Sequence, residues 1–206
     1  MREPADLWAE ERRVFAARGD ILLCGVDEAG AGPLAGPVYA AAVILPKGLT
    51  LPYLNDSKKL TERRRELLFP QIQEQAVAWA VATASAEEID AINILNARML
   101  AMERAISKLD PRADYALIDG NCSRGITCPN ETLVRGDSRS ASIAAASILA
   151  KVSRDRYMLE LSEQYPQYQF ERHKGYGTKL HYEMLSQYGP CPAHRRSFLK
   201  KFYEKR

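Results

Sequence analysis

Residues 21–37 read ILLCGVDEAGAGPLAGP, and this stretch sets the pattern for the rest of the chain. The apolar run 21–26 is short and contains glycine near its end, which is typical of a buried β-strand. The run leads into two carboxylates, Asp27 and Glu28, and then into a loop rich in glycine and proline. Because backbone turns sharply and ligands approach closely at glycine, acidic side chains at this junction are candidate site residues.

The rest of the chain continues this alternation of short apolar runs and amphipathic segments. Further strands are predicted for residues 38–45, 76–84, 115–118 and 132–134. Helices are predicted for residues 61–70, with a break near Pro70, and for residues 85–106, 140–165 and 178–188. Strands that alternate with helices indicate an α/β fold, a mixed β-sheet flanked by helices.

Three parts of the chain are predicted from this pattern. Residues 1–20 are expected to form a charged helix or loose arm that packs little. Residues 21–165 form the main α/β domain, and residues 166–206 form a small, basic C-terminal helical region packed on it. The start of the predicted helix 85–106 is marked by a capping box, in which Ser85 and Glu88 satisfy each other's backbone amides.

Composition excludes several classes of protein. The chain has 206 residues, 46% of them apolar, with a formal net charge of +3, which excludes a fully disordered chain. Its longest apolar run, residues 38–45, is far shorter than the ~20 residues that cross a bilayer, so no membrane association is expected. Residues 1–13 are charged and unlike a signal peptide, which predicts a cytoplasmic protein. The cysteines, Cys24, Cys122, Cys128 and Cys191, form no Cys-x-x-Cys pair and are expected to be reduced thiols.

Charge is distributed unevenly along the chain. Residues 151–206 hold 12 basic and 6 acidic side chains, whereas residues 1–150 hold 17 basic and 20 acidic ones. A basic region beside an acidic one is compatible with a polyanionic partner, and an ordinary solvated surface explains it equally well.

Acidic residues follow three of the predicted strands, and each lies near a glycine. Asp27 and Glu28 follow the first strand, Asp119 the fourth and Asp137 the fifth. Ligands bind outside the strand ends of open α/β sheets, so these side chains could converge on one site. An all-oxygen ligand set suits Mg²⁺ or Mn²⁺ better than Zn²⁺. Neighbouring side chains on a regular strand face opposite ways, so Asp27 and Glu28 can share a site only if the strand ends or bends there.

Plainer roles compete for each of these residues. A single aspartate is more often a turn former or helix cap, and Asp56 and Asp110 are assigned to turns on that ground. The glycine-rich loop matches neither the dinucleotide fingerprint nor the nucleotide P-loop. His173, His181 and His194 show no metal-ligand spacing and are expected at the surface or at helix caps.

Possible nucleic-acid contacts occur in three basic segments. Tyr176 stands between two glycines near Lys174, where an exposed ring would suit stacking on a sugar or base, or would pack half-buried on a neighbouring helix. Ser57 and Lys58, and the segment 194–196, are further candidates for phosphate contacts, although each alone is more often a solvated surface.

Several of these segments resemble ribonuclease HII, the type 2 ribonuclease H, in unbroken order over roughly residues 21–200. The matching segments are 25–30 (GVDEAG), 32–38 (GPLAGPV), 55–60 (NDSKKL), 118–121 (IDGN), 136–138 (GDS), 144–151 (AAASILAK), 154–155 (RD) and 173–176 (HKGY).

The resemblance implies a ribonuclease H-like fold and cleavage of the RNA strand of RNA–DNA hybrids with Mg²⁺ or Mn²⁺. It also implies incision of duplex DNA on the 5′ side of a single embedded ribonucleotide, giving 3′-hydroxyl and 5′-phosphate ends. The family's catalytic and metal-binding carboxylates carry over to Asp27, Glu28, Asp119 and Asp137. Two cations ~4 Å apart would bridge the scissile phosphate once substrate is bound. Asp155 is assigned a supporting or helix-surface role.

One position departs from the family pattern. The family loop reads Gly-Arg-Gly, whereas this chain has Gly30, Ala31 and Gly32. In the family this loop, with the tyrosine matched by Tyr176, reads the 2′-hydroxyl at the RNA–DNA junction. The departure predicts weakened junction selectivity with the metal chemistry intact.

Two alternatives to a junction-reading enzyme remain open. One is a metal nuclease of the same fold that acts mainly on longer hybrids, and the other is a catalytically silent hybrid-binding module. A monomer is expected, and no motif in the sequence identifies a sliding-clamp partner.

Overall fold

The computed structural model describes residues 6–204, apart from the side chain of Lys201. Within this range the strands form one five-stranded sheet in the order β3-β2-β1-β4-β5. The strands are β1 (Leu23–Ala29), β2 (Val38–Ile44), β3 (Ala78–Ala84), β4 (Tyr115–Asp119) and β5 (Asn130–Leu133). β2 is antiparallel to β1 and β3, whereas β4 is parallel to β1 and β5. The predicted mixed sheet is therefore confirmed.

Helices cover both faces of the sheet. They are α1 (Ala9–Arg18), α2 (Glu62–Gln75), α3 (Ala86–Ser107), α4 (Ala141–Gln164), α5 (Phe170–His173), α6 (Lys179–Tyr188) and α7 (Lys200–Tyr203). One face packs on α3, where Met102 joins Val26 and Ala40 in a buried cluster. The other face packs on α2 and α4, where Ile72 and Leu149 join Ala41 and Val43 of β2. No helix within residues 6–204 is long and apolar enough to cross a membrane. The four cysteines are free thiols, as predicted.

Local capping signals place the helix starts correctly. Ser85 and Glu88 form the predicted capping box at the start of α3. Ser140 accepts from the amide of Ile143 at the start of α4, and Thr178 does the same for His181 at the start of α6. Helix α3 also has an unpredicted kink at Asn93, whose φ is 67°.

The predicted break near Pro70 is wrong, because α2 continues through this residue to Gln75. Proline removes one backbone hydrogen bond, but Pro70 itself lies on the exposed side of the helix. Its neighbours Leu68, Phe69 and Ile72 are buried between the helix and the sheet, and this packing outweighs the lost hydrogen bond.

The expectation that residues 1–20 pack little is also corrected for the described part, 6–20. Val14 of α1 is buried in a cluster with β4 and β5, and Glu11 is fully buried. A carboxylate oxygen of Glu11 accepts from Ser140 Oγ at 2.6 Å and from the Ser142 amide at 3.0 Å. The N-terminal helix therefore supplies an anion to the N-terminus of α4. Residues 1–5 lie outside the described residues.

Helix α4 approaches β1 so closely that only glycine fits at position 25. A Cβ built on Gly25 would stand 2.1 Å from the carbonyl carbon of Ser142. We expect Gly25→Ala to lower the free energy of unfolding by about 3 kcal/mol, because backbone must move to relieve the overlap. Urea denaturation would measure the change. Gly32→Ala is the matched control, because a Cβ there meets nothing nearer than 3.9 Å, and similar losses for both variants would contradict the expectation.

The C-terminal region packs on the end of α4. Tyr168, Phe170, Leu185 and Leu199 are buried against Met158 of that helix. The backbone also ties this region to the loop after β1, because the amide of Leu34 donates to Gly175 and that of Gly36 to Ala193. This docking brings the segment around Tyr176 to the same edge of the sheet as Asp27.

Candidate active site

Two aspartates come side by side near the carboxyl ends of the parallel strands β1 and β4. Their register pairs Val26 with Ile118, so that the next residues, Asp27 and Asp119, are neighbours at the carboxyl edge. The Asp27 side chain is only 5% exposed, whereas Asp119 is half-buried. Strand topology thus places at least these two carboxylates at one edge of the sheet, where the sequence predicts a site.

Asp27 and Glu28 reach this edge from opposite faces of the sheet. Strand β1 continues to Ala29, so it does not end at the acidic pair, and the side chains alternate. Asp27 shares the face of Gly25, which packs on α4. Glu28 lies on the α3 face, where its Oε1 accepts from Arg98 Nη2 at 2.7 Å. The strand therefore does not end at the acidic pair.

Asp137 belongs to a 3₁₀ turn, Gly136–Ser138, and not to the end of a strand. The turn is tied to the sheet because the amide of Gly136 donates to Asp119 Oδ1 at 2.6 Å. The ammonium of Lys58 lies 3.9 Å from Asp137 Oδ2. The turn therefore brings a third acidic residue and a lysine to the β1–β4 edge.

The carboxylates are close enough to perturb one another's ionisation. Burial, reinforced by repulsion from Glu28 and Asp119, raises the pKa of Asp27 well above its ordinary value. Burial also raises the pKa of Glu28, against the attraction of Arg98. Burial and the nearby carboxylate of Asp56 raise the pKa of Asp137 to about 6. Negative charge is thus concentrated where water cannot screen it.

This donor set fits a hard divalent cation in its chemistry. All of the side chains offer oxygen, which Mg²⁺ and Mn²⁺ prefer. Glu28 Oε2 is buried and has no hydrogen-bond partner, so one oxygen is left for a ligand. Within residues 6–204, no three acidic, histidine or cysteine side chains are already grouped in a metal-binding arrangement.

The predicted substrate-binding residues divide into two groups. Gly32 lies beside the exposed ring of Tyr176, since a Cβ on Gly32 would stand 3.9 Å from that ring, and Gly30 and Ala31 precede it in the same loop. Lys58 is exposed beside Asp137.

The other two substrate candidates are engaged elsewhere. Ser57 is buried in a 3₁₀ turn, and its carbonyl accepts from Arg65. Lys174 Nζ donates to the carbonyl of Glu171 at 2.8 Å. Asp155 pairs with Lys151 at 2.6 Å and with Arg65 at 4.0 Å, so it helps to anchor the turn that carries Ser57.

Sequence reasoning missed several residues that shape the site. Asp56, which was assigned to a turn, also lies near Asp137. Arg98 is paired with Glu28, and no sequence signal links the two. Arg195, in the segment 194–196 predicted to contact phosphate, is 0% exposed, so its side chain is not available for such a contact. Arg154, part of a matching segment, is equally buried and donates to the carbonyls of Ala35 and Lys174.

The three histidines are buried, which corrects their assignment to the surface or to helix caps. Two of them, His194 and His181, form a chain of hydrogen bonds: the amide of Cys191 donates to His194 Nδ1, and His194 Nε2 lies 3.0 Å from His181 Nε2. His181 Nδ1 in turn lies 3.0 Å from the carbonyl of Tyr176. Since that carbonyl can only accept, His181 carries its proton on Nδ1 and His194 carries its proton on Nε2. Neutral imidazoles therefore hold the backbone at Tyr176.

Acid should weaken the fold through these imidazoles. Burial lowers the pKa of His181 and of His194 to about 4, whereas the unfolded chain titrates at about 6.5. Unfolding therefore takes up protons between these values, and the stabilisation falls as the pH falls through this window. We expect the difference in the free energy of unfolding between the wild type and His194→Gln to fall by about 2 kcal/mol between about pH 7 and about pH 4.5.

Urea denaturation of both proteins at each pH would measure this change. The carboxylates at the β1–β4 edge have raised pKa values, so their contribution to stability changes with pH in the opposite direction. This contribution is the same in both proteins and cancels when they are compared. A difference in stability that does not depend on pH would contradict the expectation.

Comparison with known families agrees with this geometry. The family model for ribonuclease HII matches residues 24–201. The chain belongs to the ribonuclease HII family. A ribonuclease HII of Endomicrobium trichonymphae is 57% identical over 187 residues, which cover 90% of this chain and 89% of that protein.

Two solved structures are also similar to this ribonuclease HII. The ribonuclease H2 of Pyrococcus horikoshii OT3 is 25% identical with a TM-score of 0.71, over 89% of this chain and 97% of that one. The ribonuclease HII of Archaeoglobus fulgidus, solved in complex with PCNA, is 26% identical with a TM-score of 0.73, over 85% of this chain and 94% of that one. This ribonuclease HII is accordingly a hydrolase that acts on RNA in RNA–DNA hybrids.

Proposed function

We propose that this ribonuclease HII also incises duplex DNA on the 5′ side of a single embedded ribonucleotide, using divalent cations held by Asp27, Glu28, Asp119 and Asp137. The observation that carries the proposal is the common edge shared by the buried carboxylates and the loop beside Tyr176. The proposed catalytic carboxylates would thus lie close to the loop that is proposed to read the sugar, because Gly30 follows Glu28 by only two positions.

The acidic residues would hold the cations in different ways. Asp27 and Asp119 come from adjacent strands, so their spacing is set by the sheet. Asp137 comes from the turn tied to Asp119, and Glu28 offers a buried oxygen that has no other partner. When bound, the cations would supply charge neutralisation at the scissile phosphate and activation of the attacking water.

Other residues of the chain would orient the substrate. The ammonium of Lys58 is exposed beside Asp137, where it would attract a phosphate of the RNA strand. The exposed Tyr176 ring, 44% accessible, offers a surface on which a sugar or base could stack. Recognition of RNA against DNA must involve the 2′-hydroxyl, and Gly32 of the Gly30–Gly32 loop lies beside the Tyr176 ring.

An end-labelled DNA duplex with one embedded ribonucleotide tests the proposal directly. We expect a single incision on its 5′ side with Mg²⁺ or Mn²⁺, leaving 3′-hydroxyl and 5′-phosphate ends. An all-RNA strand hybridised to DNA is the positive control, and an all-DNA duplex is the negative one. Cleavage of the hybrid alone would overturn the single-ribonucleotide proposal while leaving the family activity intact.

One observation favours the second candidate, a preference for longer hybrids. The half-buried Ala31 offers no side-chain donor at the middle of the loop. Multiple ribonucleotides would then offer more contacts than one does. The ratio of kcat/KM on the two ribonucleotide-containing substrates separates the two candidates.

A further inference from the structure

Arg195 is a fully buried cation that is bonded only to backbone. It is 0% exposed, and its Nη2 donates to the carbonyl of Gly30 at 2.6 Å. Its Nη1 donates to the carbonyl of Ala31 at 3.0 Å, and its Nε to that of Gly36 at 2.9 Å. One guanidinium therefore fixes three peptide groups of the same loop.

Burying this charge is costly. None of its hydrogen bonds goes to a carboxylate, and burial together with the charge of Arg154 lowers the pKa of Arg195 to about 9. An unpaired buried cation would normally be replaced by an apolar residue unless its donors are needed. The geometry of those donors indicates what they are needed for.

Peptide geometry links these inward carbonyls to outward amides. In a trans peptide the carbonyl and the following N–H point in opposite directions. Because the Gly30 and Ala31 carbonyls face Arg195, the amides of Ala31 and Gly32 face away from it. Among the described residues, neither amide donates to any acceptor. Gly32 is exposed, and its surface borders Tyr176.

We propose that Arg195 is a positioning residue for substrate binding, which aims the amides of Ala31 and Gly32 at acceptor oxygens of the RNA strand. The inference rests on the proposed role of the Gly30–Gly32 loop as a substrate contact. Successive outward amides form a concave donor site for phosphate or hydroxyl oxygens. In this chain the loop itself carries no basic side chain, so the buried guanidinium beneath it supplies the positive charge at this point.

A double-mutant cycle on the all-RNA hybrid tests this role. Arg195→Lys keeps the charge, but an ammonium group lacks the planar array of donors with which the guanidinium binds three carbonyls. We expect KM to rise on the order of 10-fold with little change in kcat. Gly32→Ala places a methyl group beside the outward amide, and we expect a similar rise. Because both changes act on the same contact, we expect the KM of the double variant to rise on the order of 10-fold over the wild type, and not on the order of 100-fold.

The control separates positioning from a loss of stability. Ile72→Val removes a buried methylene group between α2 and the sheet, far along the chain from the loop. Combined with Gly32→Ala, it should give additive effects on KM. Additive effects on KM when Arg195→Lys is combined with Gly32→Ala would overturn the proposal, since Arg195 would then support only the fold.

Two further outcomes are also decisive. If Gly32→Ala alone leaves KM unchanged, the loop is not a substrate contact, and it cannot recognise the ribonucleotide sugar as the proposed function requires. If Arg195→Lys does not fold, the cycle is repeated with Arg195→Gln, which keeps one amide donor. Failure of both variants to fold would contradict the proposal, because the residue would be required for the structure as a whole.

Discussion

Asp27→Asn is expected to reduce hydrolysis of an RNA–DNA hybrid by roughly 10³-fold, because the cations proposed at the β1–β4 edge would supply several kcal/mol of transition-state stabilisation. Asp27 lies at the centre of the site, between Glu28 on its own strand and Asp119 on β4. Asparagine keeps the size of the side chain and removes its charge. Initial rates on the hybrid at saturating Mg²⁺ would measure the loss.

The same variant should be more stable than the wild type when metal is absent. In the folded protein, burial and neighbouring carboxylates raise the pKa of Asp27, so ionising it near pH 7 costs folding free energy. This cost disappears below the ordinary pKa of an aspartate in the unfolded chain. We expect the free energy of unfolding to rise by about 1–2 kcal/mol near pH 7, measured with a chelator present.

Asp20→Asn is the matched control, since its side chain is 93% exposed and pairs with Lys47 outside the site. It should leave both activity and stability nearly unchanged. Full activity in Asp27→Asn would remove this residue from the catalytic site, and lower stability would show that the carboxylate is needed for packing.

Ala31→Arg is expected to raise kcat/KM on the single-ribonucleotide duplex by about 10-fold or more, with a smaller gain on the all-RNA hybrid. A charge-assisted hydrogen bond is worth about 1.5–3 kcal/mol when it reaches the substrate directly. Position 31 is half-buried between the exposed Gly32 and the buried Gly30, so a long side chain can leave the loop towards the substrate. Steady-state rates on both substrates would measure the change in selectivity.

Ala31→Met controls for side-chain bulk, because it adds length without a donor. It should not improve incision. Equal cleavage of the single-ribonucleotide duplex by the wild type and by Ala31→Arg would contradict the prediction, and junction selectivity would then rest on the backbone amides and Tyr176 alone.

The sheet and most helices could be predicted because their signals are local. The capping box at Ser85 and the caps at Ser140 and Thr178 need only neighbouring residues. Two elements could not be predicted, because their causes are distant. Packing of α2 against α4 keeps the helix intact at Pro70, and α1 is held by contacts between Glu11 and a segment 129 residues away.

The site was predictable in its acidic residues and not in what supports them. Strand-end logic and the family resemblance both indicated Asp27 and Asp119, and the sheet register brings these two together. The residue that orients the neighbouring loop could not be predicted. Arg195 lies 165 positions from Gly30, and a basic residue near the end of a chain is normally expected at the surface. Only the fold shows that it is buried.

The proposed function requires that Asp27, Glu28, Asp119 and Asp137 form one cation site. Binding of Mn²⁺, followed by electron paramagnetic resonance without substrate, would show whether they do. We predict that Asp27→Asn, Glu28→Gln, Asp119→Asn and Asp137→Asn each weaken Mn²⁺ binding by at least about 10-fold, whereas Asp20→Asn does not. Mn²⁺ affinity that is unchanged in all four site variants would contradict the account.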